Sequence, residues 1–146
     1  MKNQFSTITV IVAVGFAALL AAAPAGAQTS ETRFHVPFTF LAGNRMHPAG
    51  QYVVRLDPAY HVMELRRVNT ADLERIPLES APVPRAAGKP MPSTLTFRKY
   101  GSYHALRGVW AAGDRDGFEL TLSRAEEKLA RANGGAAAGE DAVFNR

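Results

Sequence analysis

The sequence predicts a mainly-β protein: a small antiparallel β-sandwich or barrel of about seven strands, with one short C-terminal α-helix. Three observations carry that expectation. Apolar and polar residues alternate with a period of two in one segment after another between Glu31 and Leu122. Gly, Pro, Asn and Asp gather between those segments, where turns need backbone angles and local hydrogen bonds that these residues supply. The period changes once, after Ser123, to one that suits a helix.

The segments follow in order. In "RFHVPFTF", Phe34, Val36, Phe38 and Phe40 share one face, as in a half-buried strand. Pro37 cannot donate to a ladder, so this strand belongs at an edge or carries a bulge. "LAGNRMHPAG" is turn chemistry. "QYVVRLD" then sets Tyr52, Val54 and Leu56 on one face, and "HVMELRRV" turns Met63 and Leu65 inward. Arg66 and Arg67 fall one on each face, the inward one near an edge. "ADLERIPLES" reads as a strand through Leu73 to Leu78, with a helical turn stopped by Pro77 as the other possibility. "APVPRAAGKPMPS" is a loop around the domain.

"STLTFRKY" and "YHALRGVWAA" are two strands joined by Gly101 and Ser102. Alternation places His104, Leu106, Gly108 and Trp110 on one face of the second strand. Tyr103, Ala105, Arg107 and Val109 take the other, and Gly108 leaves room for the Trp110 ring. After the loop "GDRDG", "FELTLS" returns as the next strand of an antiparallel hairpin, with Phe118, Leu120 and Leu122 inward. Ser123 stands three residues before Glu126, a capping-box spacing in which the serine takes an orphan amide proton and the glutamate reaches back. Leu129 with Ala125 and Ala132 forms a narrow apolar stripe. Asn133 and Gly134 can end the helix. Residues 134–146 have little to bury and are expected to be a disordered tail.

The first residues resemble a secretory signal. Lys2 precedes an uncharged apolar run from Ile8 to Ala23, and Ala25 and Ala27 form a small-residue cleavage site. Residues 1–27 are therefore expected to be a cleaved signal peptide, with residues 28–133 a single β-domain in the periplasm or secreted, and not membrane-spanning after cleavage. There is no cysteine, so stability rests on burial without disulfides. The whole chain carries a formal charge of +4, too mild a bias to argue for nucleic acid.

Several of these residues form a pattern: Pro37, Phe38 and Phe40; Pro48, Ala49, Gly50 and Tyr52; Tyr100 and Gly101; Trp110; Ser123 and Glu126. The pattern resembles a group of small exported bacterial proteins of unassigned function. The resemblance implies an exported single domain and brings no activity, ligand or catalytic residue with it.

The chemistry the chain can carry is limited. Four histidines, His35, His47, His61 and His104, stand without the close spacing of metal ligands, and no thiolate accompanies them. The expected arrangement is three surface imidazoles and His104 at the rim of the core with a hydrogen-bond partner. Asp114 and Asp116 beside Gly117 do not fit an EF-hand loop, because Ala112 and Ser123 fall where ligands are needed. Ser102 and His104 could share a face, yet the strand-turn-helix setting of a nucleophilic serine is missing. Phosphate-binding loops are absent from the sequence. Nine aromatics, Phe34, Phe38, Phe40, Tyr52, Phe97, Tyr100, Tyr103, Trp110 and Phe118, read mainly as core, each contributing about 2 kcal/mol on burial.

The function expected from the sequence is therefore a non-enzymatic, exported β-domain with a binding or structural role in the cell envelope. It has no cofactor, metal or catalytic residue, and its partner is an envelope protein or an apolar small molecule. One alternative is a small barrel carrying a lipid in a cavity behind Trp110 and the N-terminal phenylalanines. A more distant one is an envelope hydrolase. Tyr103, His104 and Trp110 are the candidate ligand-binding residues.

Overall fold

The computed structural model describes residues 31–79, 81, 83–84 and 91–145. The expected signal peptide, residues 1–27, lies outside the described residues. The period-two segments contain strands β1 Glu31–Val36, β2 Phe40–Ala42, β4 Gly50–Asp57, β5 Val62–Arg67, β6 Leu73–Pro77, β8 Thr94–Tyr100, β9 Tyr103–Trp110 and β10 Asp116–Glu119. Two short strands were not expected: β3 Arg45–His47, in the segment read as a turn, which pairs back on β2, and β7 Val83–Pro84, in the segment read as a loop, which pairs with β10. Helix α1 Arg124–Ala132 and a last strand, β11 Gly139–Phe144, follow. They form two sheets, one in the order β1-β4-β5-β6, the other in the order β11-β8-β9-β10-β7 with β2 and β3 attached through β9. The fold is a β-sandwich and not a closed barrel.

Pro37 sets the first departure from the expected pattern. The run from Phe34 to Phe40 is not one strand: β1 stops at Val36, and the chain crosses to the other sheet before β2 begins. Pro37 has no N–H to continue a ladder and falls outside β1, which lies at a sheet edge. Because the crossing preserves the inward face, Phe34, Val36 and Phe40 are all buried between the sheets, with Phe38 packed against them. Gly43 has φ +57° at the first position of the two-residue β2–β3 loop, a conformation that costs glycine least.

β4 and β5 follow their alternation. Tyr52, Val54, Leu56, Met63 and Leu65 line the core against Leu95, Phe97, Leu106 and Val109 of the facing sheet. The segment Asp72–Leu78 resolves as strand β6, with Ile76 and Leu78 inward.

β9 does not keep its alternation, and the cause is a bulge. Thr96 pairs with Gly108 while Phe97 pairs with Leu106, so Arg107 is an extra residue. Leu106 and Val109, three positions apart, therefore both face the core. Trp110 is displaced to the outer face, opposite Thr94, and does not share a face with Leu106 and His104. A Cβ on Gly117 would lie 2.2 Å from Trp110 Cδ1, and one on Gly108 2.7 Å from its Cη2. The ring thus lies on two glycines and is only 9 % exposed. Leu122, expected inward, is 47 % exposed, because regular pairing ends before it.

Helix α1 packs on the outer face of the second sheet through Ala125, Leu129 and Ala130, against Leu41, Tyr100 and Ala105. Ala132 is exposed and takes no part in the stripe. Ser123 Oγ accepts the amide proton of Glu126 at 3.1 Å. The reciprocal half of the capping box is not made. Glu126 is buried and its Oε1 accepts from Arg98 Nη1 at 3.1 Å and Tyr100 OH at 3.0 Å. Charge-assisted bonds inside a packed layer outweigh a solvent-exposed cap.

The tail is also ordered, against expectation. β11 pairs antiparallel with β8 along its length and buries Val143 in the core. A free edge on β8 supplies the partner that a local reading of an Ala- and Gly-rich segment does not reveal.

Candidate functional site

His104 occupies the expected position at the rim of the core. Its Nε2 lies 2.9 Å from Asp141 Oδ2, and its ring stacks on Phe38 with centroids 3.9 Å apart. Nδ1 is buried and has no hydrogen-bond partner among the described residues. No hydrogen bond joins Ser102 to His104, and Ser102 is exposed at the turn. Tyr103 is 47 % exposed at the start of β9, and Trp110 is at its far end on the outer face. Tyr103, His104 and Trp110 therefore do not converge on one site.

His47 departs from the surface position expected for it. It is 8 % exposed, with Nε2 2.8 Å from Glu74 Oε2, and its ring stacks beside Phe40. Tyr52 OH donates to Pro48 O at 2.5 Å, and burial pushes its pKa up, with Arg67 opposing and Asp72 adding to the rise. Arg67, opposite Tyr52, is the inward arginine at the end of its strand. Together with Asp72 these residues line a polar recess of about 110 Å³. His47 and Glu74 stand 27 residues apart, on β3 of one sheet and β6 of the other, so only the packing of the two sheets brings them together.

The outer face of the second sheet carries a charge network. Arg107 donates to Glu119 Oε1 at 2.9 Å and to Glu140 Oε2 at 2.5 Å, and Arg98 reaches Glu126. Burial pulls the Arg107 pKa down, but Glu140 and Glu119 outweigh it and the net shift is upward. Tyr100 is raised by burial and by Glu126 beside it. These groups satisfy one another and join β8, β9, β10, β11 and α1.

Beside Trp110, Phe34, Val54 and Leu56 the described residues leave a recess of only about 10 Å³, at the lower limit for a single water. Of the nine aromatics, Phe34, Phe40, Tyr52 and Phe97 fill the core, Phe38 and Phe118 pack against it, and Tyr100 belongs to the helix layer. Among the described residues no three His, Asp or Glu side chains group to hold a metal ion, and no helix is long and apolar enough to cross a membrane.

A wider concavity lies elsewhere. The edge strands β1 and β11 come together without pairing and leave an open groove of about 650 Å³. Arg33, His35, Pro37 and Gln51 line one side, and Ala142, Val143 and Phe144 the other. Phe144 is 43 % exposed, and neither Arg33 nor His35 has an ion-pair partner among the described residues. Sequence reasoning missed this site, because half of it belongs to the segment read as a disordered tail. Compared with family models, curated proteins and solved structures, the chain matches none.

Proposed function

We propose that this protein is an exported, non-enzymatic β-sandwich that binds a partner in the cell envelope through the groove between β1 and β11. The groove carries the reading: it joins the exposed Arg33 to the exposed apolar ring of Phe144 between two sheet edges, the combination of polar and apolar groups that recognition sites use. The signal-like first residues and the resemblance to small exported proteins support the location. A lipid-carrier role is less favoured, since the recess beside Trp110 is about 10 Å³ and a lipid chain needs hundreds. For a hydrolase, the missing Ser102–His104 bond and the buried Nδ1 of His104 count against it.

The test has two parts. Intact mass of the protein recovered from the envelope fraction is expected to start at Gln28, and a full-length chain held in the inner membrane would contradict export. Capture from envelope extract with the mature protein is expected to yield a partner that an Arg33→Glu, Phe144→Asp variant releases. Retention of the same partner by that variant would remove the groove from the function.

A further inference from the structure

The occupant of the groove follows from its edges and its charge, and this step rests on the binding reading above. We infer that the groove takes an extended acidic peptide, which adds as a strand to the free edge of β1.

Among the described residues, β1 pairs only with β4, and β11 only with β8. Each therefore has an edge along which alternate residues direct N–H and C=O groups away from the sheet. A lipid tail laid there would leave those groups without partners, whereas a peptide backbone supplies both donors and acceptors. Charge then selects among peptides. Arg33 and His35 are exposed on one face of β1, while Phe34 and Val36 are buried on the other. No Asp or Glu is among the described residues that line the groove. The nearest acid on that face of the strand is Glu31, beyond Arg33 and outside the lining.

An added strand has the same period of two. Carboxylates on one face would stand beside Arg33 and His35. Apolar side chains between them would turn toward Val143 and the exposed ring of Phe144. Pro37 limits the usable edge to the six residues of β1. A second copy is a poor occupant, because antiparallel pairing of two β1 strands centred on Arg33, a groove-lining cation, sets one guanidinium opposite the other.

The experiment uses the mature protein and a fluorescein-labelled peptide, capped at both ends, that alternates valine with glutamate. Fluorescence anisotropy should show saturable binding that weakens as salt is added. Arg33→Glu should weaken it about tenfold or more, and the same peptide with lysine for glutamate should bind Arg33→Glu better than it binds wild type. N-methylation of alternate peptide residues, which removes backbone donors and leaves the carboxylates in place, should abolish binding. If Arg33→Glu does not fold by circular dichroism, Arg33→Gln with His35→Gln serves instead and should weaken binding in the same direction.

Equal binding of the N-methylated peptide would overturn strand addition, and equal binding of the lysine peptide by wild type would overturn the acidic preference. Anionic lipid vesicles that bind where the peptide does not would assign the groove to a membrane surface. A partner captured from the envelope and released by the groove variant, with no peptide binding, would leave the binding reading standing and remove this one. Absence of both would remove both.

Discussion

At the scale of single residues, the outer face of the second sheet depends on what two glycines omit. Trp110 covers Gly108 and Gly117 so closely that a methyl group at position 117 would meet the indole at 2.2 Å. Gly117→Ala should therefore destabilise the domain by about 1–3 kcal/mol, the usual cost of overpacking. Trp110→Ala should cost about 3–5 kcal/mol, as for an emptied aromatic site. The two should not add: once the ring is gone, the methyl has space, so Gly117→Ala should cost little in the Trp110→Ala background. Urea unfolding of both single variants and the double variant measures the coupling, and strict additivity would mean that the ring does not rest on Gly117. The sequence indicates that Gly108 makes room for Trp110, since both residues belong to one strand. It does not reveal Gly117, which arrives from the next strand, nor the face that Trp110 takes, because an extra residue at Arg107 leaves no mark on the apolar pattern.

Among the elements, β4 and β5 were legible because their inward residues alternate without interruption and their turns are marked by Pro, Asn and Gly. β6 was legible only as one of two readings, because the charged Glu74 stands on its inward side beside His47. The helix was legible at its start, since Ser123 caps it locally. Its glutamate was not: Glu126 bonds to Arg98, 28 residues away, and a capping motif read locally cannot anticipate that competitor. The tail failed for a related reason. Only Val143 of β11 enters the core, which is too little apolar pattern to mark a strand, and the edge of β8 supplies the rest. Two variants separate these contributions. Ser123→Ala should cost about 1 kcal/mol through the lost cap. Truncation after Gly135 should lower the thermal midpoint clearly, because it strips the ladder from β8, removes Val143, and deletes the Asp141 partner of His104 and the Glu140 partner of Arg107. Hydrogen exchange should also find the β11 amides protected. A truncated protein as stable as the intact one, with unprotected amides there, would return the tail to disorder.

Across the whole molecule, two layers are held against each other by apolar burial, and each carries one buried tyrosine whose ionisation is unfavourable. Tyr52 sits in the core between the sheets and Tyr100 in the layer between sheet and helix. Burial leads the upward pKa shift of both, and Glu126 adds to that of Tyr100. In the unfolded chain both phenols ionise near the ordinary value of about 10. Between that value and the higher folded one, the unfolded state has lost protons that the native state keeps, so raising the pH favours unfolding. The stabilising effect of keeping both phenols neutral is therefore fully present below about pH 10 and is lost as the pH rises through the folded values. Urea midpoints should accordingly show no tyrosine-linked change from neutral pH to about 9 and then fall. Tyr52→Phe loses the bond to Pro48 O, and so should lower stability at neutral pH by about 1 kcal/mol while flattening part of the alkaline fall. Tyr100→Phe should flatten another part, and because the two rings lie in separate layers the double variant should lose both contributions additively. An alkaline slope unchanged in the double variant would place the titrating groups elsewhere, and with them the weak point of the fold.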